Sequence, residues 1–300
     1  MRSFAGAMLL ICIVANNAQA QDNFGAGTGP LLKLLGGSTR AVGMANAVPL
    51  SAIDSDIVFY HPALLPGAAG WSGAVQRFGG DATLATFSAA ASGGIGVGIR
   101  FLEYTVPVLD SDIGDIRDLG RDNVIGDQAV EAAARVGYAR TIWKLRLGAA
   151  VEYARHFQNE ASDGMLTGDV GLTMNVTNRF ITALTVKDIP FHDGADTYDA
   201  PFHVTLGASN RSLPVGPLDL IASGSISWGP DLDVFGGGGL ELGYWPFSGL
   251  NFYARGGVRG GSYGRVTAGG GISYQRISLD YAFEQFDNVA DAHRIGLRLR

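Results

Sequence analysis

The chain has one cysteine, Cys12, and none beyond it. A disulfide framework, a thiolate metal site and a cysteine nucleophile are therefore excluded from everything after residue 12. Long apolar runs are missing too. After residue 20 no stretch reaches the roughly 18 uninterrupted apolar residues that a membrane-spanning helix needs. Charge is sparse, at 17% of residues, and the excess is acidic, with Lys+Arg 22 against Asp+Glu 28 and a net of −6. That balance gives no reason to expect nucleic acid as a partner.

Local signatures of chemistry are lacking as well. The five histidines, at 61, 156, 192, 203 and 293, show no H-E-x-x-H or other ligand spacing. No G-x-S-x-G elbow occurs. Gly236 to Gly239 are four consecutive glycines without the following Lys-Ser/Thr of a phosphate loop. Asp110, Asp112, Asp115, Asp118 and Asp122 crowd one segment. They lack the Gly and Glu positions of an EF-hand, so they read as a solvated acidic loop, as do Asp193, Asp196 and Asp199. No catalytic residue, cofactor or metal is assigned. The remaining catalytic alternative is a site assembled across strands without a local motif.

What is present begins with a leader. Arg2, an apolar run from about Ala5 to Ala15, and Ala18-Gln19-Ala20 form the pattern of a secretory signal over 1–20, with Gln21 as the expected new N-terminus. Ile11 before Cys12 is not the small residue that a lipoprotein reading would need. The 44 glycines disfavour helices, since each interior Gly costs about 1 kcal/mol relative to Ala.

From about Gly70 the dominant period is two. In LRLGAAVEY, Leu145, Leu147, Ala149, Val151 and Tyr153 oppose Arg146, Gly148, Ala150 and Glu152. In RISLDYAFE, Ile277, Leu279, Tyr281 and Phe283 oppose Arg276, Ser278, Asp280 and Glu284. This periodicity predicts about fourteen strands: 70–79, 82–91, 93–103, 130–141, 145–156, 165–176, 180–188, 202–211, 217–228, 233–245, 250–259, 264–275, 276–286 and 292–300. The connections alternate in length. Those after odd strands are mostly long, notably 104–129, 157–164 and 189–201, and those after even strands are tight. An up-and-down transmembrane β-barrel sorts its loops this way, and a soluble β-sandwich, the runner-up, has no reason to. Closure also pairs every backbone group that would otherwise face lipid. Trp71, Tyr138, Trp143, Tyr153, Trp228, Tyr244, Trp245 and Tyr274 near strand ends suit interfacial girdles.

Parity places Arg100, Arg135, Arg146, Glu152, Asp169, Glu241, Arg255 and Asp280 on the lumen side, with Asp219, Arg259, Arg265, Glu284, Arg294 and Arg298. They could line a solute path, or lock wall to interior through ion pairs, which is the favoured reading.

Residues 21–69 lack sustained alternation and carry Gly36-Gly37, Gly43, Pro49, Pro62 and Pro66-Gly67 instead. Pro62 suits the first position of a helical turn with His61 as its N-cap, and an apolar segment of this kind suits a filled lumen. Within it, Gly37-Ser38-Thr39-Arg40-Ala41-Val42-Gly43-Met44-Ala45-Asn46-Ala47 is followed by Asp54-Ser55-Asp56 and by Tyr60-His61-Pro62-Ala63-Leu64-Leu65. Leu34 to Leu65 resembles the N-terminal region of FadL-like outer-membrane proteins, most closely the PorV/PorQ branch associated with type IX secretion. The chain departs from the family's pattern by His61 in place of Asn and by lacking the second Gly after Met44.

The resemblance implies a fourteen-stranded barrel, 70–300, plugged by a hatch, 21–69, in a bacterial outer membrane. Its motif residues here are Arg40, Gly43, Met44, Asp54, Asp56, His61, Pro62 and Ala63. The expected function is a channel or carrier for small hydrophobic molecules. The alternative is a structural or docking component that holds a secreted protein client. Outer-membrane lipids are the expected surroundings.

Overall fold

A computed structural model describes residues 30–300 apart from 80–81, 108–125, 159–160, 193–199, 231, 261–265 and 287–290. The expected leader, the acidic cluster at 110–122, the later acidic loop and Arg265 lie outside the described residues. The strands in chain order are β1 (Gly70–Phe78), β2 (Ala82–Ala91), β3 (Ile95–Pro107), β4 (Gly126–Ile142), β5 (Leu145–Gln158), β6 (Ala161–Asn175), β7 (Phe180–His192) and β8 (His203–Asn210). There follow β9 (Leu213–Val215), β10 (Leu218–Gly229), β11 (Leu232–Phe247), β12 (Leu250–Gly260), β13 (Val266–Tyr274), β14 (Ile277–Glu284) and β15 (Ala292–Leu299).

All neighbours are antiparallel, and β1 pairs with β15 from Trp71 opposite Leu299 to Phe78 opposite Ala292, so the sheet closes on itself. The short β9 is the second half of a barrel strand begun by β8, since both pair with β10. Asn210 bridges the break, its amide donating to the Leu220 carbonyl at 3.1 Å and its Oδ1 accepting from the Ala222 N–H. The closed barrel therefore has fourteen strands, as the periodicity predicts.

The faces are inverted relative to a soluble sheet. On β5, Val151, Tyr153 and Phe157 point out while Glu152, Ala154 and His156 are buried, and on β15 Ile295 and Leu297 point out while Arg294 and Arg298 are buried. Apolar-out and polar-in alternation is what a barrel wall in lipid requires. The eight girdle aromatics predicted above are all exposed on the outer surface or at its ends. Among the described residues no helix is long and apolar enough to cross a membrane.

The strands are longer at the long-loop end than alternation predicts. β4 begins at Gly126 rather than near 130, β7 runs to His192, and the connection expected at 157–164 shrinks because β5 and β6 pair as far as Gln158 opposite Ala161. Residues such as Thr105 and Gln128 blur the contrast between faces there, while the backbone ladder continues.

Residues 30–69 fill the lumen as four short helical turns. Leu31–Lys33 is 3-10; Thr39–Val42 is α-helical, with the Ser38 hydroxyl accepting from the Ala41 N–H at 3.4 Å; Ser55–Phe59 and Pro62–Gly67 are 3-10. His61 holds the N-cap position before Pro62, but its ring makes no capping bond. Val58, Leu64 and Leu65 pack on Ala139, Ile181 and Ala183 of the wall, and Leu32 packs on Leu84, Leu102, Ala133 and Ala154. Each such buried side chain contributes roughly 1.5–3 kcal/mol.

Candidate functional site

The wall is glycine where the hatch presses on it. A Cβ on Gly148 would stand 2.5 Å from the Ala63 nitrogen, one on Gly239 2.6 Å from the Met44 Cβ, and one on Gly171 2.7 Å from the His61 ring. On the hatch side, a Cβ on Gly43 would stand 3.4 Å from the Gly269 Cα, at ordinary contact distance. Three motif residues of the hatch, Met44, His61 and Ala63, thus lie against wall glycines at close approach.

Two buried ionic networks join hatch to wall. The first hangs on Glu152, whose Oε1 lies 3.1 Å from Lys33 Nζ and which accepts from Arg100 at 2.8 Å on each oxygen. Lys33 also reaches Asp188 at 2.6 Å, and Arg135 joins Glu152 to Asp169. Glu131 beside it accepts the Leu31 and Leu32 N–H groups at 3.1 and 2.8 Å. The second network centres on Asp54 and Glu241. Arg40 bridges them, at 3.1 Å to Asp54 and 2.6 Å to Glu241; Arg255 links Glu241 to Asp280, both at 2.6 Å; Arg298 links Asp280 back to Asp54, at 2.6 and 2.7 Å.

Burial alone would raise the Asp54 carboxyl, yet Arg298, Arg40 and Arg300 together hold it well below the usual carboxylate range. Arg40 is likewise held above its ordinary value by Glu241 and Asp54 against the burial penalty. Asp56 is the opposite case, since burial and the neighbouring Asp54 charge push it to about 6. His61 is driven down to about 4 by burial and by the Lys187 charge, and neither ring nitrogen has a partner of hydrogen-bonding geometry. Asp54, Asp56 and Tyr60 border a cavity of about 10 Å³, room for at most one water.

Seven of the eight lumen positions named first, Arg100, Arg135, Glu152, Asp169, Glu241, Arg255 and Asp280, lie buried in these networks. Arg146 does not. It is half-buried at the tight-turn rim, near Arg211 and without a carboxylate. Asp219 is also at that rim and accepts from Ser212 at 2.6 Å. Three members were not expected: Lys33, Glu131 and Asp188. Lys33 had a signal, as the one charge inside the run LLKLL. Glu131 continues the inward parity of Arg135 but fell at the strand's expected start. Asp188 sits at a β-bulge with a left-handed φ of 55°, where parity breaks.

Arg294 needs no carboxylate. Fully buried, it donates to the hatch carbonyls of Gly36 and Gly37 at 3.0 and 2.8 Å, and to Gln76 and Thr86 of the wall at 3.1 and 2.6 Å. No metal-binding group of His, Cys, Asp and Glu occurs among the described residues.

The fold has relatives among solved structures. The Ralstonia pickettii toluene transporter TbuX superposes with a TM-score of 0.58 at 12% identity, covering 92% of this chain and 98% of that one. The Pseudomonas putida toluene transporter TodX gives 0.56 at 12%, covering 88% and 97%. The monoaromatic hydrocarbon channel CymD gives 0.53 at 11%, covering 88% and 96%. Neither a family model nor a curated protein matches the sequence. At this identity the likeness establishes the barrel fold alone.

Proposed function

We propose that the chain is an outer-membrane channel for a small hydrophobic molecule, exported by a cleaved signal at 1–20, with the tight-turn end in the periplasm. The observation that carries this reading is the apolar layer in the upper lumen. Leu31, Leu35, Phe78 and Tyr104 stand partly buried over the Leu32, Leu84 and Leu102 cluster, toward the long-loop end. An apolar surface with a few polar groups nearby, here Glu131 and the Tyr104 hydroxyl at 3.0 Å from it, is what a small apolar ligand needs. The barrel architecture shared with hydrocarbon channels supports the same reading. Passage then requires the hatch to move, because it fills the lumen below that layer. No catalytic role belongs to this reading.

The second reading, a PorV/PorQ-like docking component, is favoured by one observation: the hatch is keyed into wall glycines and pinned by ionic networks. The test is uptake of radiolabelled toluene by cells expressing the chain from a plasmid. Faster uptake than in cells with the empty plasmid, slowed by Leu102→Trp in the apolar layer, supports the channel. Equal uptake, together with a folded barrel that purifies bound to an exported protein, overturns it in favour of docking.

A further inference from the structure

Inside the barrel the cations are matched to carboxylates or carbonyls. The tight-turn rim is the contrary case. Arg140 and Lys144 flank the β4–β5 turn, Arg146 follows on β5, Arg179 and Arg211 precede and follow β7 and β8, and Arg276 occupies the β13–β14 turn. Among the described residues none of the six has an ion-pair partner. Arg211 donates to Asn175 at 2.9 Å, and its Nε is withdrawn from solvent without a partner. The acids near this end are committed elsewhere, Asp54 to Arg298 and Arg300 and Asp219 to Ser212. A chain of net charge −6 has thus gathered unpaired positive charge at one rim.

The same rim is aromatic. Trp143, at a left-handed φ of 56°, is 97% exposed at its turn tip, and Phe247 is 72% exposed at another. Tyr138 and Ile142 lie beside Arg140 on the outward face of β4. Cationic heads next to outward apolar and aromatic side chains match the boundary of a bilayer, with acyl chains against the wall and phosphates against the guanidinium and ammonium groups.

We propose that the tight-turn rim is a collar for anionic phospholipids of the leaflet it faces, their phosphates held by Arg140, Lys144, Arg179 and Arg276. A cluster of such cations at a membrane surface selects anionic over zwitterionic headgroups and weakens with salt. The collar rests on the barrel's lying in a bilayer, not on what passes through it.

Native mass spectrometry of the chain purified from membranes in mild detergent tests this, with added dioleoylphosphatidylglycerol, dioleoylphosphatidylcholine or a poly-glutamate peptide. The expected result is phosphatidylglycerol retained over phosphatidylcholine by roughly tenfold. A parallel titration with a fluorescent phosphatidylglycerol should show the affinity falling as salt rises. The variant R140Q/K144Q/R179Q/R276Q should lose the preference, while Arg155→Gln, an exposed cation near the opposite end, should keep it. If the fourfold variant does not fold, R140Q/K144Q should lose roughly threefold. Equal binding of the two lipids, or a preference that survives the rim variant or falls equally with Arg155→Gln, overturns the collar. Tighter binding of poly-glutamate than of phosphatidylglycerol overturns it in favour of an acidic protein partner.

Discussion

Arg298, next to the end of the closing strand, and Asp54, in the hatch, meet at 2.7 Å with both side chains buried. The residue that completes the barrel seam is therefore also an anchor of its plug, and Arg40 and Arg300 converge on the same carboxylate. Asp54→Asn leaves these cations short of a counter-charge. Removing one partner of a buried network costs about 3–5 kcal/mol. The expected outcome is an earlier midpoint for heat-induced loss of the compact barrel band in electrophoresis, and a midpoint like wild type would show the cations satisfied elsewhere.

Gly148→Val tests the fit between hatch and wall. The added side chain meets the Ala63 and Pro62 backbone, which cannot rotate away. Overpacking of about 1–3 kcal/mol should lift the hatch and open the largely covered Arg40 to trypsin. Gly73→Ala, with its nearest neighbour 3.9 Å away, should leave Arg40 protected.

Acid acts on two hatch groups with opposite sign. Asp56 is raised from 3.8 to about 6, so the folded state holds the extra proton and stability rises as pH falls from about 6 toward 4. His61 is lowered from 6.5 to about 4, so the unfolded state binds the proton and stability falls across the same window. Each effect is on the order of 3 kcal/mol, and they largely cancel. Denaturant unfolding of Asp56→Asn should show stability dropping on acidification from pH 6.5 to 4, and that of His61→Asn should show it rising. Parallel slopes in the two variants would contradict the assignment. Asp54 acts lower, its contribution being lost as pH falls below its unfolded value.

Arg294→Lys keeps the charge and loses the planar fork. One ammonium cannot serve Gly36, Gly37, Gln76 and Thr86 together, so buried carbonyls lose donors at about 1–3 kcal/mol. Hydrogen exchange should rise at Gly36 and Gly37 more than in the strands. Uniform exchange across the barrel would count against a local role.

Much of this architecture was legible because lipid demands a simple alternation. Val151 and Tyr153 outward with Glu152 inward is readable from three letters, and the wall charges follow from the same parity. Alternation weakens where both faces meet water, so the upper ends of β4 to β7 are not readable from it. Asp188 was hidden by a bulge, and β9 by a break that Asn210 repairs with its side chain. Partners were the least legible. Lys33 and Glu152 are separated by 119 positions, and no local pattern states that they touch.

That separation also orders events in time. Arg294 and the Gly36 carbonyl lie 258 positions apart, so the hatch is synthesised at the start and the last of its anchors at the end. Contacts of such span form slowly, since the whole intervening chain must be arranged first. Until β15 arrives, the N-terminal segment has only half of its seat. A chain that ends before Arg294 would leave an apolar segment seated on one side only, a species exposed to proteases and to other chains.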